Sequence, residues 1–253
     1  NYWAKAEGNV QEVVFTPIGN DATRTAALVS GELDFILDPP PRDVARLRST
    51  AGVKIIDGPE NRIVFIGMDQ FRDELLYSNV KGKNPFKDVR VRKALYHAVD
   101  IETMRTKLMN GQSFPTGGNT PSPKAAFNDP QIESRFPFDL AQARKLLADA
   151  GYPNGFETQL DCPNNRYIND EEICIALAGM WEKIGVKVKV VAIPRVTYFP
   201  KLEKFETSMY MLGWGGAVTD AEPTLTPVLR GRGEAGVGSW NFGGAKDAQL
   251  EEL

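Results

Sequence analysis

The feature that most constrains this chain is a repeated alternation. Short β-prone apolar segments take turns with amphipathic helical segments that end in glycine. Residues 171–184 put Ile173, Leu177, Met180 and Ile184 on one helical stripe, with Asn169 or Asp170 as the cap. Gly185 stops that helix, and residues 186–193 then alternate valine with lysine, the pattern of a half-exposed strand. Residues 156–162 read as a strand ahead of it. Before that, Asp139 caps a helix over 140–150 that carries Leu140, Ala143, Leu147 and Ala150 on one face and closes at Gly151. Strands that take turns with helices in this way predict an α/β fold, a mixed sheet flanked by helices.

The same alternation runs through the rest of the chain. Residues 10–18 read as a strand, with Asp21 as cap of a helix over 22–30 that ends at Gly31. A short strand at 33–37, a helix at 42–49, and strands at 53–57 and 63–69 follow. Residues 70–87 are polar and irregular and read as a crossover. Helices are expected over 89–99 and, capped by Asp100, over 101–109. The stretch 114–137 is rich in proline, glycine, serine and asparagine and reads as a long loop. A helix at 196–205, a strand at 208–213 and a helical segment around 225–230 complete the reading.

Composition excludes several classes. A net charge of -3 on 253 residues does not suit a nucleic-acid binder, which must neutralise phosphates. The basic run at 87–93 is interleaved with apolar residues and reads as a solvated helix face. No stretch approaches the ~20 apolar residues of a membrane span. The chain begins at Asn1 without a signal peptide and stops inside a helical pattern at 247–253, so the sequence reads as a fragment. Two cysteines, Cys162 and Cys174, leave a disulfide and two free thiols both open.

Five strings, in this order, carry a family resemblance: AALVSGELD at 26–34; PFKDVRVRKAL at 85–95, followed by HAVD at 97–100; ARKLLADAGYP at 143–153, followed by Gly155 and Phe156; WEKIGVKV at 181–188; and MYMLGWG at 209–215. Together they resemble the family 5 extracellular solute-binding proteins, the dipeptide, oligopeptide and nickel type that serve ABC importers. The second and third strings are the most specific. The resemblance implies a two-lobed type II periplasmic-binding fold with the ligand enclosed between the lobes. Residues 1–69 would belong to the first lobe and its hinge strand, and 70–253 to most of the C-terminal lobe. It also implies an extracytoplasmic monomer that binds a small peptide-like solute, meets permease subunits in the membrane and needs no cofactor.

Candidate ligand contacts centre on Trp214, Gly215 and Gly216. Glycines after a tryptophan let backbone approach a ligand, with the indole as one wall. The resemblance places this segment in the cleft. Peptide-binding relatives carry an aspartate three residues beyond this tryptophan, where it meets the peptide's ammonium group; here that position is Ala217. Asp220 or Glu222 could substitute, or the solute lacks a free amine, and Asp220 competes as the cap of the next helix. Asn61 and Arg62 near the hinge, Phe114 in the 112–118 loop, Arg166 and Tyr167 after the Cys162 strand, and Tyr198 on the following helix are further candidates. Arginine suits a carboxylate through paired N–H donors. Trp240 reads as packed beneath its glycine-rich loop rather than as a second aromatic wall.

Competing classes have weaker support. The single histidine, His97, lies on a helix between Leu95 and Val99 with no triad context. No metalloprotease, Walker or dinucleotide motif occurs. A two-carboxylate hydrolase needs no motif and stays as the enzymatic alternative. A carrier of a non-peptide solute, such as a metal chelate or a glutathione-like molecule, is the nearer alternative. One histidine and two cysteines make direct metal chelation by the protein a poor fit. A docking module that meets the permease without ligand is the third class.

Overall fold

The computed structural model describes residues 8–119, 130–215 and 220–252. The chain forms two compact units, Asn1–Lys54 and Ile55–Leu253. The smaller contains helices α1 (Asp21–Ser30) and α2 (Pro41–Arg48). The cap of α1 is Asn20, not Asp21: Asn20 Oδ1 accepts from the Thr23 N–H at 2.9 Å. Asp21 instead pairs with Arg24 at 2.7 Å. The strands expected at 10–18, 33–37 and 53–57 do not form among the described residues. Valine and phenylalanine favour a pleated surface, yet a strand exists only where a neighbour takes up its N–H and C=O groups. Phe15 is 88% exposed, and Val14, Phe35 and Leu37 are exposed with it.

The larger unit holds strand β1 (Arg62–Met68), helices α3 (Val89–His97), α4 (Ile101–Thr103), α5 (Pro130–Glu133) and α6 (Leu140–Asp149), strand β2 (Glu157–Pro163), helix α7 (Asp170–Glu182), strand β3 (Lys187–Ile193), helix α8 (Arg195–Glu203), strand β4 (Met209–Gly215), and the short helices α9 (Glu222–Thr224) and α10 (Ala248–Glu251). The helix expected over 101–109 is α4 widening into a π turn at Met104–Leu108. No helix among the described residues is long and apolar enough to cross a membrane.

The four strands form one mixed sheet in the order β1-β4-β2-β3. β2 runs parallel to β3, from Glu157 opposite Lys187 to Pro163 opposite Ile193. It also runs parallel to β4, with Leu160 opposite Met209. β1 lies antiparallel on the far side of β4, Arg62 opposite Gly215 and Met68 opposite Met209. Parallel neighbours require a helical crossover, and α7 and α8 provide the two.

The side-chain period of two divides the core. Met209 and Met211 of β4, with Leu160 and Cys162 of β2, join the main cluster under α3, α6 and α7. Tyr210 and Leu212 point the other way, into a smaller cluster with Tyr198 and Leu202 of α8 and Phe242. The Trp181 indole N–H donates to the Leu95 carbonyl at 2.9 Å and ties α7 to α3. His97 is structural: its Nδ1 lies 2.8 Å from the Pro137 carbonyl oxygen. On the α8 face the fully buried Asp161 carboxylate accepts from Lys201 Nζ and, at 3.1 Å to each oxygen, from Gln159 Nε2.

At the base of β2 and β3 the two entry turns touch. A Cβ at Gly155, whose φ is +73°, would sit 2.0 Å from the Gly185 carbonyl oxygen. Gly155→Ala is therefore expected to destabilise the chain by about 3 kcal/mol or more, through both backbone strain and collision with a neighbouring main chain. Gly151 also has a positive φ but meets nothing within 4 Å. Gly151→Ala is expected to cost only about 1 kcal/mol. Urea denaturation of the two variants separates the terms; equal losses would contradict the backbone contact.

Candidate ligand-binding cleft

A cleft of about 450 Å³ opens at the carboxyl ends of β2 and β4, lined by Glu60, Asn61, Arg62, Arg166, Tyr167, Phe199, Gly213, Trp214, Gly215 and Trp240. In open α/β sheets that end is where loops diverge and ligands are held. Strand register brings its parts together: Arg62 opens β1 directly opposite Gly215 at the end of β4, and Ile63 faces Trp214. A larger depression of about 620 Å³ lies elsewhere, lined by Tyr77, Glu157, Gln159, Glu182 and the edge strand β3. It gathers none of the residues singled out from the sequence.

The loop between β2 and α7 forms one wall. Asp170, buried at the start of α7, holds it: its Oδ2 accepts from the Arg166 and Tyr167 N–H groups at 2.8 and 3.0 Å, and its Oδ1 from the Glu171 N–H at 3.0 Å. Burial pushes the Asp170 carboxyl above its ordinary range, and those three N–H bonds only partly oppose the rise. Asn165 Oδ1 accepts from the Arg195 N–H at 2.7 Å and anchors the same loop to α8. The cap residue Asn169 sits in the left-handed region at φ +54°, with no side-chain capping bond of its own.

Tyr167 is the loop's structural key. A Cβ on Gly213 would lie 2.4 Å from its ring, so the glycine makes room for the tyrosine. The hydroxyl donates to the Gly213 carbonyl at 3.4 Å, and burial pushes its pKa up. The Arg166 guanidinium stands 4.8 Å from the ring centre and that of Arg62 6.0 Å. Gly215 is likewise taken up by protein, since a Cβ there would meet the Asn61 carbonyl at 2.8 Å. Close backbone approach at these glycines thus serves strand and ring packing rather than leaving room for a solute.

The opposite wall is aromatic. The Trp214 and Trp240 rings lie 5.5 Å apart at 59°, and Phe199 meets Trp240 edge-on at 6.3 Å. The Trp214 indole N–H donates to the Pro223 carbonyl at 3.0 Å. Trp240, 36% exposed, is a second wall, contrary to the sequence expectation of a packed ring. Among the described residues Glu60 is the one acid in the lining, and it pairs with Arg62 Nε at 2.7 Å. Arg166 has no carboxylate partner among the described residues.

Asn61, Arg62, Arg166, Tyr167, Trp214 and Gly215 therefore come together around one cleft. Tyr198 does not. It is fully buried on the far face of the sheet, its hydroxyl donating to the Met211 carbonyl and lying 3.3 Å from that of Asp161. Its neighbour Phe199, one step round α8, reaches the cleft instead. Phe114 is 75% exposed and not in the lining. Asp220 accepts from the Glu222 N–H at 2.9 Å and organises the start of α9 rather than facing the cleft. Gly216 and Ala217 lie outside the described residues. Cys162 and Cys174 stand as buried free thiols.

Residues 1–236 match the model of the bacterial extracellular solute-binding proteins, family 5 middle region. The chain belongs to that family. Among curated members, heme-binding protein A of Haemophilus influenzae is 28% identical over all of this chain and 44% of its own length. The glutathione-binding protein GsiB of Salmonella typhimurium is 26% identical over 90% of this chain and 43% of its own length. The fold is similar to that of the binding protein AgaA of A. tumefaciens, solved with agropinic acid: TM-score 0.73, 26% identity, 93% of this chain and 45% of that one. The murein tripeptide-binding protein MppA of Escherichia coli superposes with a TM-score of 0.76 at 22% identity, over 93% of this chain and 44% of that one. The chain thus spans less than half the length of the family members it matches, and its sheet is part of a type II periplasmic-binding fold.

Asp170→Ala frees three N–H groups and is expected to cost about 2–4 kcal/mol in denaturant unfolding. Its pH signature has a definite sign. The folded pKa is raised, so Asp170's contribution is fully present below the unfolded value of about 4 and is lost as pH rises through the folded value. Asp170→Asn is expected to remove that fall in stability; an unchanged pH profile would refute the assignment.

Proposed function

We propose that the full-length protein is the extracytoplasmic solute-binding component of an ABC importer, and that the cleft beside Trp214 is one wall of its solute site. The observation that carries this reading is the convergence of residues from three distant segments, 61–62, 166–167 and 214–215, on a single opening at the strand ends. Two cationic groups beside four aromatic rings suit a small solute with an anionic end and an apolar body. The protein then works as a monomer, encloses a peptide-like solute and releases it to permease subunits without changing it chemically. In this reading residues 1–69 belong to the first lobe and its hinge strand, residues 70–253 belong to the second lobe, and closure of the two lobes completes the site.

A second reading, a non-peptide solute, draws on one feature. The position where peptide-binding relatives carry the ammonium-binding aspartate is Ala217, and the acid in the cleft, Glu60, is already engaged by Arg62. An ammonium group enclosed there would lack a counter-charge. One curated relative is named for heme, a solute without an amine, which agrees with such a shift.

The test is binding by the intact protein, followed by thermal shift and tryptophan fluorescence. Trp214→Ala is expected to weaken binding more than tenfold with the fold retained; unchanged affinity removes the proposed wall. Arg166→Gln is expected to weaken carboxylate solutes more than their amides. If the non-peptide reading holds, N-acetylation of a peptide probe leaves its affinity unchanged, whereas a large loss on acetylation restores the peptide reading.

A further inference from the structure

Cys162 and Cys174 belong to neither the cleft lining nor any ion-pair network. Cys162 shares the inward face of β2 with Leu160, and Cys174 lies one turn into α7 on the buried stripe that continues through Leu177 and Trp181. Both are completely buried and, as the structure stands, free. Both pack in the one cluster that fills the space between β2 and α7, and hydrogen bonding with Cys162, and after it burial, pushes the Cys174 thiol above its ordinary value. Residues 163–173 between them contain Arg166 and Tyr167, the loop wall of the cleft.

We propose that Cys162 and Cys174 are a disulfide-forming pair, which outside the cytoplasm closes residues 163–173, and with them the Arg166 and Tyr167 wall, into a covalent ring. This rests on the extracytoplasmic placement proposed above. The two S–H bonds break and one Sγ–Sγ bond forms. The two electrons and, by way of solvent, the two protons pass to the disulfide of a thiol–disulfide oxidoreductase, whose S–S bond breaks to give a dithiol. Neither sulfur is reachable in the folded chain, so exchange belongs to the folding chain, before α7 settles on β2. A closed ring of this size restrains the unfolded chain and holds the loop in place before any solute arrives.

The experiment uses the full-length protein exported through an oxidising compartment. It is denatured with iodoacetamide in the absence of reductant and digested. The expected result is a cross-linked peptide pair containing both cysteines, with neither alkylated. Alkylation of both overturns the proposal. In a second arm, refolding from denaturant in the presence of reductant is expected to lower the melting temperature of wild type by roughly 6–12 °C and that of Cys162→Ala/Cys174→Ala not at all; an equal effect on both also overturns it. Fluorescence titration with glutathione and with hemin on the same samples separates the two readings. Solute binding with both thiols free sinks the disulfide and leaves the carrier. A cross-linked protein that takes up neither probe keeps the disulfide and counts against the carrier.

Discussion

The larger unit depends on one arrangement: β2 is paired on both edges by strands that run in its own direction. Parallel pairing cannot be closed by a hairpin, so each partner must be reached through a helix that crosses a sheet face. The first crossover, α7, carries the main apolar cluster, and the second, α8, carries the smaller one. Both faces of β2 are buried as a result, which accounts for its near-continuous burial. It also means that the carboxyl ends of β2 and β4 open at the same edge. The loops after them, together with the antiparallel β1, have nowhere to meet except around that opening.

A buried charge sits in this arrangement. Asp161 is in the middle of β2 with no exposure, held by Lys201 from α8 and Gln159 from its own strand. Removing either partner would strand a carboxylate in the interior, whereas an apolar residue at all three positions could pack without loss. The pair therefore speaks more for a fixed placement of α8 on the sheet than for stability. That placement decides which side of α8 turns Phe199 toward the cleft and Tyr198 toward the core.

The units built from local signals were legible in the sequence. Helices α6 and α7 and strands β2 and β3 follow from helical stripes, glycine stops and the valine–lysine alternation, with ends displaced by a residue or two. The segments at 10–18 and 33–37 were not, because strand formation depends on a neighbour that residue preference cannot supply. In the cleft, residues at strand ends were legible because a strand end fixes where its side chains point. Tyr198, which the sequence suggested, and Phe199, which lines the cleft, are one step apart on α8, about 100° of rotation, which no motif resolves without knowing the face α8 turns to the sheet. Glu60 carried no signal beyond standing two residues before Arg62.

The bond from the Trp214 indole N–H to the Pro223 carbonyl has a consequence for selectivity. With its single donor already committed, the ring offers a guest only its π surface and edge. Such a surface responds to flatness and polarisability and is indifferent to the pattern of heteroatoms. Under the function proposed above, discrimination falls to the rim of arginine and asparagine rather than to the tryptophan.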